Sequence, residues 1–339
     1  RLPRETIRRE IDAVKALGVE VVLDKVVGKT FTVSELLGPM GYQAVFIGAG
    51  AGFPSFPGIP GENAAQVYSA NEFLTRVNLM GGERFPFEDT PVHMGRSVVV
   101  IGAGNTAMDC LRVARRLGAE VRCVYRRTES EAPARREELR HAKEEGIAFH
   151  WLRAPTEIEV DADGNVTGLM CQVMALGEPD ASGRRRPVPV EGELERFECD
   201  TVIYALGTRA NPIVAESTPG IATNRYGYLE VDPVTQATNL PGVYAGGDIT
   251  TGGATVILAM GAGRRAAASI ERWLKAARET VGFDGGAGSG GEVAESGSVE
   301  SAILEIGTFE GVSVCPKCQR PNEGDGDDGI CCAGLALSW

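Results

Sequence analysis

Residues 97–117, SVVVIGAGNTAMDCLRVARRL, constrain the fold of this chain more than any other segment. Ser97–Ile101 holds four β-forming apolar residues in a row, the pattern of a strand buried on both faces. It runs into Gly102-Ala103-Gly104-Asn105-Thr106-Ala107. Ala107–Leu117 has helical spacing, and Gly118 stops it. Gly102 allows a tight turn out of the strand. Gly104 has no side chain, so a ligand can approach its backbone. Ala107 lets the helix lie close to the sheet. A helix entered this way offers unbonded N–H groups and about half a unit of positive charge at its start, a seat for phosphate. Glu120–Tyr125 follows as a second strand. A glycine motif alone carries little, but GxGxxA set in strand–turn–helix–strand reads as a dinucleotide fingerprint.

The end of the second strand bears on which dinucleotide fits. A site for NAD commonly places an acid there, on the ribose 2′-OH. Here the positions hold Arg126 and Arg127. Guanidinium forks suit a 2′-phosphate, which a carboxylate would repel, so the expectation is NADP(H). The alternative is that both are surface charges at a basic helix entry, with Arg135 and Arg136.

Around this unit the chain alternates strands and helices. Residues 5–17 form an amphipathic helix with Ile7, Ile11, Val14 and Leu17 on one stripe, ended by Gly18. Val19–Val27 reads as a strand region. Val33–Leu37 is a helical turn capped by Thr32 or Ser34. Ser69–Leu79 is a helix with Ser69 as cap, and the Pro-rich stretch from Gly81 to Pro91 is a candidate domain crossing. Pro133–Glu145 is a charged surface helix, and 156–200 has the turns of a β-meander.

Three further segments place small residues at strand ends. Ala44–Ile47 runs into Gly48-Ala49-Gly50, Thr201–Leu206 into Gly207, and Gly242–Ala245 into Gly246-Gly247-Asp248. A carboxylate at Asp248 can accept from ribityl hydroxyls. The helix beginning near Thr255-Val256 can stabilise negative charge on a reduced flavin. Taken alone, Asp248 reads first as a turn or cap aspartate, but the setting VYAGGD…GGATVILAMGAG favours the flavin role.

These stretches resemble the small, NADPH-dependent subunit of glutamate synthase and the related ferredoxin:NADP transhydrogenase large subunit. The matching segments are RLPRETIRREIDAVKALGVE, VFIGAGAG, IPGENAAQVYSANEFLTRVNLM, VVVIGAGNTAMDCLRVARRLGAEVRCVYRRTESEAPARREE, TVIYALGT and LPGVYAGGDITTGGATVILAMGAGRRAA, together covering roughly 1–275. The resemblance implies an α/β fold of two Rossmann-like, glutathione-reductase-like domains, with the NADP domain inserted in the FAD domain. The boundaries expected are 1–90 and 209–280 for FAD and 91–208 for NADP. It implies hydride transfer from NADPH to FAD, then single electrons to iron–sulfur clusters, with no catalytic side chain. In that family an iron–sulfur domain and a first FAD βαβ unit with its own GxGxxG stand ahead of these stretches. The expectation is therefore that a partner chain or a preceding segment completes the FAD site and carries the clusters, beside a large catalytic subunit. Rival readings are a reductase subunit of another complex, electron-bifurcating or otherwise, and a non-catalytic scaffold that has lost the flavin.

Composition limits the remaining choices. The net charge is −12, against general nucleic-acid binding, and no apolar run is long enough to span a membrane. From Asp284 onward ten acids face only Lys317 and Arg320, so that segment carries −8 of the total. Residues 281–300 are Gly/Ser/Glu-rich, a flexible linker by composition. The segment 301–339 contains Cys315, Cys318, Cys331 and Cys332. Four thiolates there could bind zinc or an iron–sulfur cluster, or do nothing. The other four cysteines lie scattered in apolar segments, unlike a secreted disulfide scaffold, and the expectation is a cytoplasmic protein.

Overall fold

The computed structural model describes residues 3–179, 183 and 185–282, the last four by backbone alone. The chain forms two compact units: one from the residues up to Phe53 and those from Arg209 onward, the other from Pro54–Thr208. The second unit is thus an insertion in the sequence of the first.

In chain order the elements are α1 (Arg4–Ala16), α2 (Val33–Leu37), β1 (Val45–Ile47), β2 (Phe53–Pro54), β3 (Val67–Ser69), α3 (Ala70–Leu74), β4 (Ser97–Ile101), α4 (Asn105–Arg116), β5 (Glu120–Tyr125), α5 (Arg136–Glu144), β6 (Ala148–Trp151), β7 (Arg153–Val160), β8 (Val166–Pro179), β9 (Arg185–Glu198), β10 (Thr201–Tyr204), β11 (Thr208–Arg209), α6 (Ile213–Ser217), β12 (Val243–Ala245), α7 (Asp248–Thr251) and α8 (Val256–Gly282).

The inserted unit is built on a parallel sheet in the order β3-β10-β4-β5-β6. The valine-rich β4 lies in its middle, as a strand apolar on both faces must. One face packs Val98, Val100 and Ile203 against Phe73, Met108, Leu111 and Ala114 of the covering helices. The other packs Val99, Ile101 and Val124 against Ile158, Leu169 and Phe197 of the antiparallel meander β7-β8-β9. Each such buried side chain contributes about 1.5–3 kcal/mol.

The unit formed by the outer segments pairs β1 with β12 in parallel, Val45 opposite Val243 and Ile47 opposite Ala245. Its core gathers Val33, Leu36, Ile47, Val214, Leu229, Val243 and Ile249. Thr32 and Glu35 make a reciprocal capping box at the start of α2.

Four expectations need correction. The first crossing between units lies at Phe53/Pro54 rather than near residue 90. Val67–Ser69 adds a strand beside β10, and Phe73 and Val77 sink into the insert's core, so 54–90 belong to it. Val19–Val27 forms no strand. Val21, Leu23 and Val26 are exposed, Asp24 takes a left-handed φ of 57°, and the pairing there is confined to isolated bridges, at Glu20 and from Val27 to Phe31. The helix after Ser69 is α-helical only to Leu74 and continues as a π-turn over Thr75–Leu79. The charged helix expected from Pro133 begins at Arg136, because the preceding residues bond elsewhere.

Candidate nucleotide site

The end of β4 is held from both sides. Gly102 N–H donates to the Val124 carbonyl at 2.9 Å, and Ala205 N–H donates to the Ile101 carbonyl at 2.8 Å. Gly102 has φ 126°, and a β-carbon there would stand 2.3 Å from the Ala205 carbonyl oxygen. The requirement for glycine at 102 therefore comes from the neighbouring strand as well as from the turn. Gly104 differs. Its φ is −87°, open to any residue, and the nearest atom to an added β-carbon is Pro133 Cγ at 3.9 Å. A side chain at 104 would meet only Pro133, at van der Waals distance.

Gly104 is also the N-cap of the 12-residue α4 and supplies no side chain to bond the first-turn amides. Those N–H groups have no intrahelical partner and carry the positive end of the helix dipole. Asn105 and Thr106 are exposed at this end, while Ala107 is fully buried against the sheet. Residues 133–135 close over the turn. Ala134 N–H donates to the Ala103 carbonyl at 3.0 Å, and Arg135 N–H to Asn105 Oδ1 at 2.9 Å. Sequence reasoning missed this seal; Pro133, which disfavours a helical residue before it, was its signal. The whole arrangement lies at the C-terminal ends of β4 and β10, where the connections from adjacent parallel strands diverge, the place where open α/β sheets bind ligands.

The two arginines after β5 have different surroundings. Arg126 is exposed, and its guanidinium has no hydrogen bond or ion pair among the described residues. Arg127 is 6 % exposed. Its Nε donates to the Arg185 carbonyl at 2.9 Å, and its own carbonyl accepts from Leu152 N–H at 3.1 Å. The acids nearest in sequence are already engaged. Glu129 pairs with Lys143 at 2.6 Å. Glu131 turns back on Thr128, whose hydroxyl holds its carboxyl below the ordinary range.

In the other unit, Gly48 and Gly50 follow β1, and Gly50 has φ 67° with open space where a side chain would be. Gly246 N–H donates to the Ile47 carbonyl at 3.2 Å, and Gly247, φ 76°, leads into α7. Asp248 Oδ1 accepts from Ala254 N–H at 3.2 Å, so part of the carboxylate serves as a turn cap; Oδ2 has no hydrogen bond among the described residues. Thr255 Oγ1 accepts from Leu258 N–H at 3.4 Å at the head of α8. Val256, Ile257 and Leu258 there are exposed. Gly207, φ 92°, belongs to the inserted unit, where its carbonyl accepts from Ser55 N–H at 3.2 Å. Cys315, Cys318, Cys331 and Cys332 lie outside the described residues, among which no cluster of metal ligands is found. Among the described residues no helix is long and apolar enough to cross a membrane.

The family described as pyridine nucleotide-disulphide oxidoreductase matches residues 4–279. The NADP(+)-dependent formate dehydrogenase subunit beta of Moorella thermoacetica is 43 % identical over 278 residues, covering 81 % of this chain and 38 % of its own length. The NADPH glutamate synthase small chain of Escherichia coli (strain K12) is 36 % identical over 282 residues, covering 81 % of this chain and 59 % of its own length. The chain thus spans less than two thirds of either relative. The structure of Mycobacterium tuberculosis FprA in complex with NADPH superposes with a TM-score of 0.58 at 22 % identity, over 76 % of this chain and 68 % of that one. That likeness carries the fold, two Rossmann-type units, and agrees with the parallel sheet and the inserted order described above. With the glycine turn at the head of a parallel sheet and this match over most of its length, the chain belongs to the pyridine nucleotide-disulphide oxidoreductase family.

Proposed function

We propose that the chain is the NADPH-oxidising flavoprotein part of a multi-subunit electron-transfer enzyme, similar to the glutamate synthase small chain. The observation that carries this reading is the uncrowded backbone of Gly104 at the head of α4, combined with the exposed Arg126 beyond β5, which has no partner among the described residues. The residues fit a pyridine dinucleotide. The α4 amides receive the pyrophosphate, and Asn105, oriented by Arg135 N–H, and Thr106 border it. Arg126 meets the 2′-phosphate. Arg127 takes a positioning role, since its guanidinium is buried on the β9 carbonyl.

The outer-segment unit fits the flavin end of FAD. Asp248 Oδ2 is available to a ribityl hydroxyl, Gly48, Gly50 and Gly247 let the cofactor approach backbone, and the α8 head at Thr255 and Val256 offers positive potential. FAD supplies the hydride acceptance and the one-electron release that no side chain here provides. The chain's residues bind and orient; none acts as acid or base. The names of the relatives, subunit beta and small chain, support a partner subunit. We propose that the partner side completes the FAD cradle and carries iron–sulfur clusters, and that the tail cysteines hold zinc or such a cluster.

The test uses the complex purified intact. Anaerobic NADPH should bleach its yellow flavin absorbance, and NADH should do so much less effectively. Arg126→Glu with Arg127→Ser should weaken NADPH binding far more than NADH binding. A colourless complex that binds NADPH would remove the flavin assignment, and equal loss for both nucleotides would remove the 2′-phosphate assignment.

A further inference from the structure

β8 and β9 each run 14 residues against 8 in β7, and the outer end of their hairpin is tied to the end of β5. Arg127 provides the tie, through Nε to the Arg185 carbonyl at 2.9 Å. Leu152 provides a second. It sits between β6 and β7 with a left-handed φ of 58°, costly for a leucine. In that conformation its N–H donates to the Arg127 carbonyl at 3.1 Å and its carbonyl accepts from Met174 N–H of β8 at 2.9 Å. A strained residue and a buried guanidinium thus both hold the hairpin against the strand end that carries Arg126.

The hairpin's own ornament is cationic. Arg185 closes it, with Nε on the Gly177 carbonyl at 3.0 Å and a terminal nitrogen on the Leu176 carbonyl at 2.9 Å. Arg186, next along β9, is exposed, and among the described residues its guanidinium has no acid or other partner. Strand alternation puts it on the opposite face from Arg185. Arg126 and Arg186 are each one residue from the Arg127–Arg185 contact. Neither guanidinium has an acid partner among the described residues, and an anion within reach of both would offset their like charge.

We propose that Arg186 is a second 2′-phosphate residue, a specificity determinant contributed by the hairpin, with Arg127 as the positioning residue that places it. The inference rests on the reading of Arg126 given above. The 2′-phosphate carries close to two negative charges, enough for two arginine forks.

The probes are 2′,5′-ADP and 5′-ADP, titrated calorimetrically into the full chain, so no flavin chemistry enters the readout. The native chain should prefer 2′,5′-ADP. Arg186→Ala should weaken 2′,5′-ADP about tenfold, leave 5′-ADP within about twofold, and flatten the salt dependence of the former. Arg186→Lys should recover part of the loss. If Arg126→Ala erases the preference while Arg186→Ala leaves both affinities untouched, the hairpin assignment is wrong and the nucleotide reading stands. If the native chain shows no preference between the probes, both fall.

Discussion

The Ala205 carbonyl oxygen stands 2.3 Å from the position of a β-carbon on Gly102, so the strand beside the glycine turn, as much as the turn itself, fixes the residue there. Gly102→Ala must push β10 and β4 apart while holding φ near 126°, and should cost about 2–4 kcal/mol. Gly104→Ala meets nothing closer than 3.9 Å and should cost under about 1 kcal/mol. It should nevertheless lower NADPH affinity about tenfold or more by filling the space proposed for the pyrophosphate. Thermal melts and nucleotide titrations of the two variants should therefore rank in opposite directions. A Gly104→Ala chain that binds as well as the native one would remove the pyrophosphate from that space.

Asp200 sets the strand register at the opposite end of the sheet. Its Oδ2 accepts from Arg96 N–H at 2.8 Å and its Oδ1 from Ser97 N–H at 3.1 Å, while its own N–H donates to the Ser97 carbonyl at 3.0 Å. These bonds align the start of β10 with the start of β4, and so bring Ala205 to Gly102 four residues later. Asp200→Ala should cost about 2 kcal/mol, seen as a lower melting temperature. A melting temperature equal to the native one would mean that the sheet alone sets the register.

How much of this could be read from the sequence follows from how local each signal is. β4, β5 and α4 emerge almost at their expected bounds because the valine run, the glycines and Ala107 act within a few residues of one another. β3 was missed as part of the insert, since its three residues gain strand character only by lying beside β10, more than a hundred residues later. Arg126 and Arg127 look equivalent in sequence; the Arg185 carbonyl that separates them is 58 positions away. Asp248 was ambiguous between cofactor and cap, and the contact the structure shows is the cap, through Oδ1 to Ala254 N–H six residues on.

The four described cysteines should be chemically silent. Burial pushes the Cys171 and Cys199 thiols up to about 12, aided by Glu195 and Asp200 respectively, and burial raises Cys110 and Cys123 as well. A thiol that cannot ionise does not alkylate. Maleimide labelling of the folded chain near neutral pH, mapped by mass spectrometry, should modify none of the four until denaturant is added. The same shifts predict alkaline instability. Below the ordinary thiol range the folded and unfolded states are equally protonated. Above about pH 9 the unfolded thiols ionise while the folded ones resist, so stability should fall from there toward pH 12. Rapid labelling of Cys171 in the folded chain would contradict the burial.

At acid pH one loss should come from Glu145, which ties α5 to α4. Burial alone would raise its pKa, but the Arg116 and Arg112 guanidiniums, at 2.8 and 2.7 Å, outweigh that and hold it below the ordinary carboxylate range. A depressed folded pKa contributes stability above the unfolded value, and that stability is lost as pH falls through the folded one. Glu145→Gln should therefore cost about 1–2 kcal/mol at neutral pH and almost nothing once the native carboxylate is protonated. The consequence reaches the proposed nucleotide site, because α4 carries the amides proposed to receive the phosphates and the entry to α5 seals the turn through Ala134 and Arg135. Melting curves of native and Glu145→Gln chains between pH 7 and about pH 3 should converge as the pH drops. Parallel curves, with the gap unchanged at the acid end, would show that the charge on Glu145 contributes nothing to this tie.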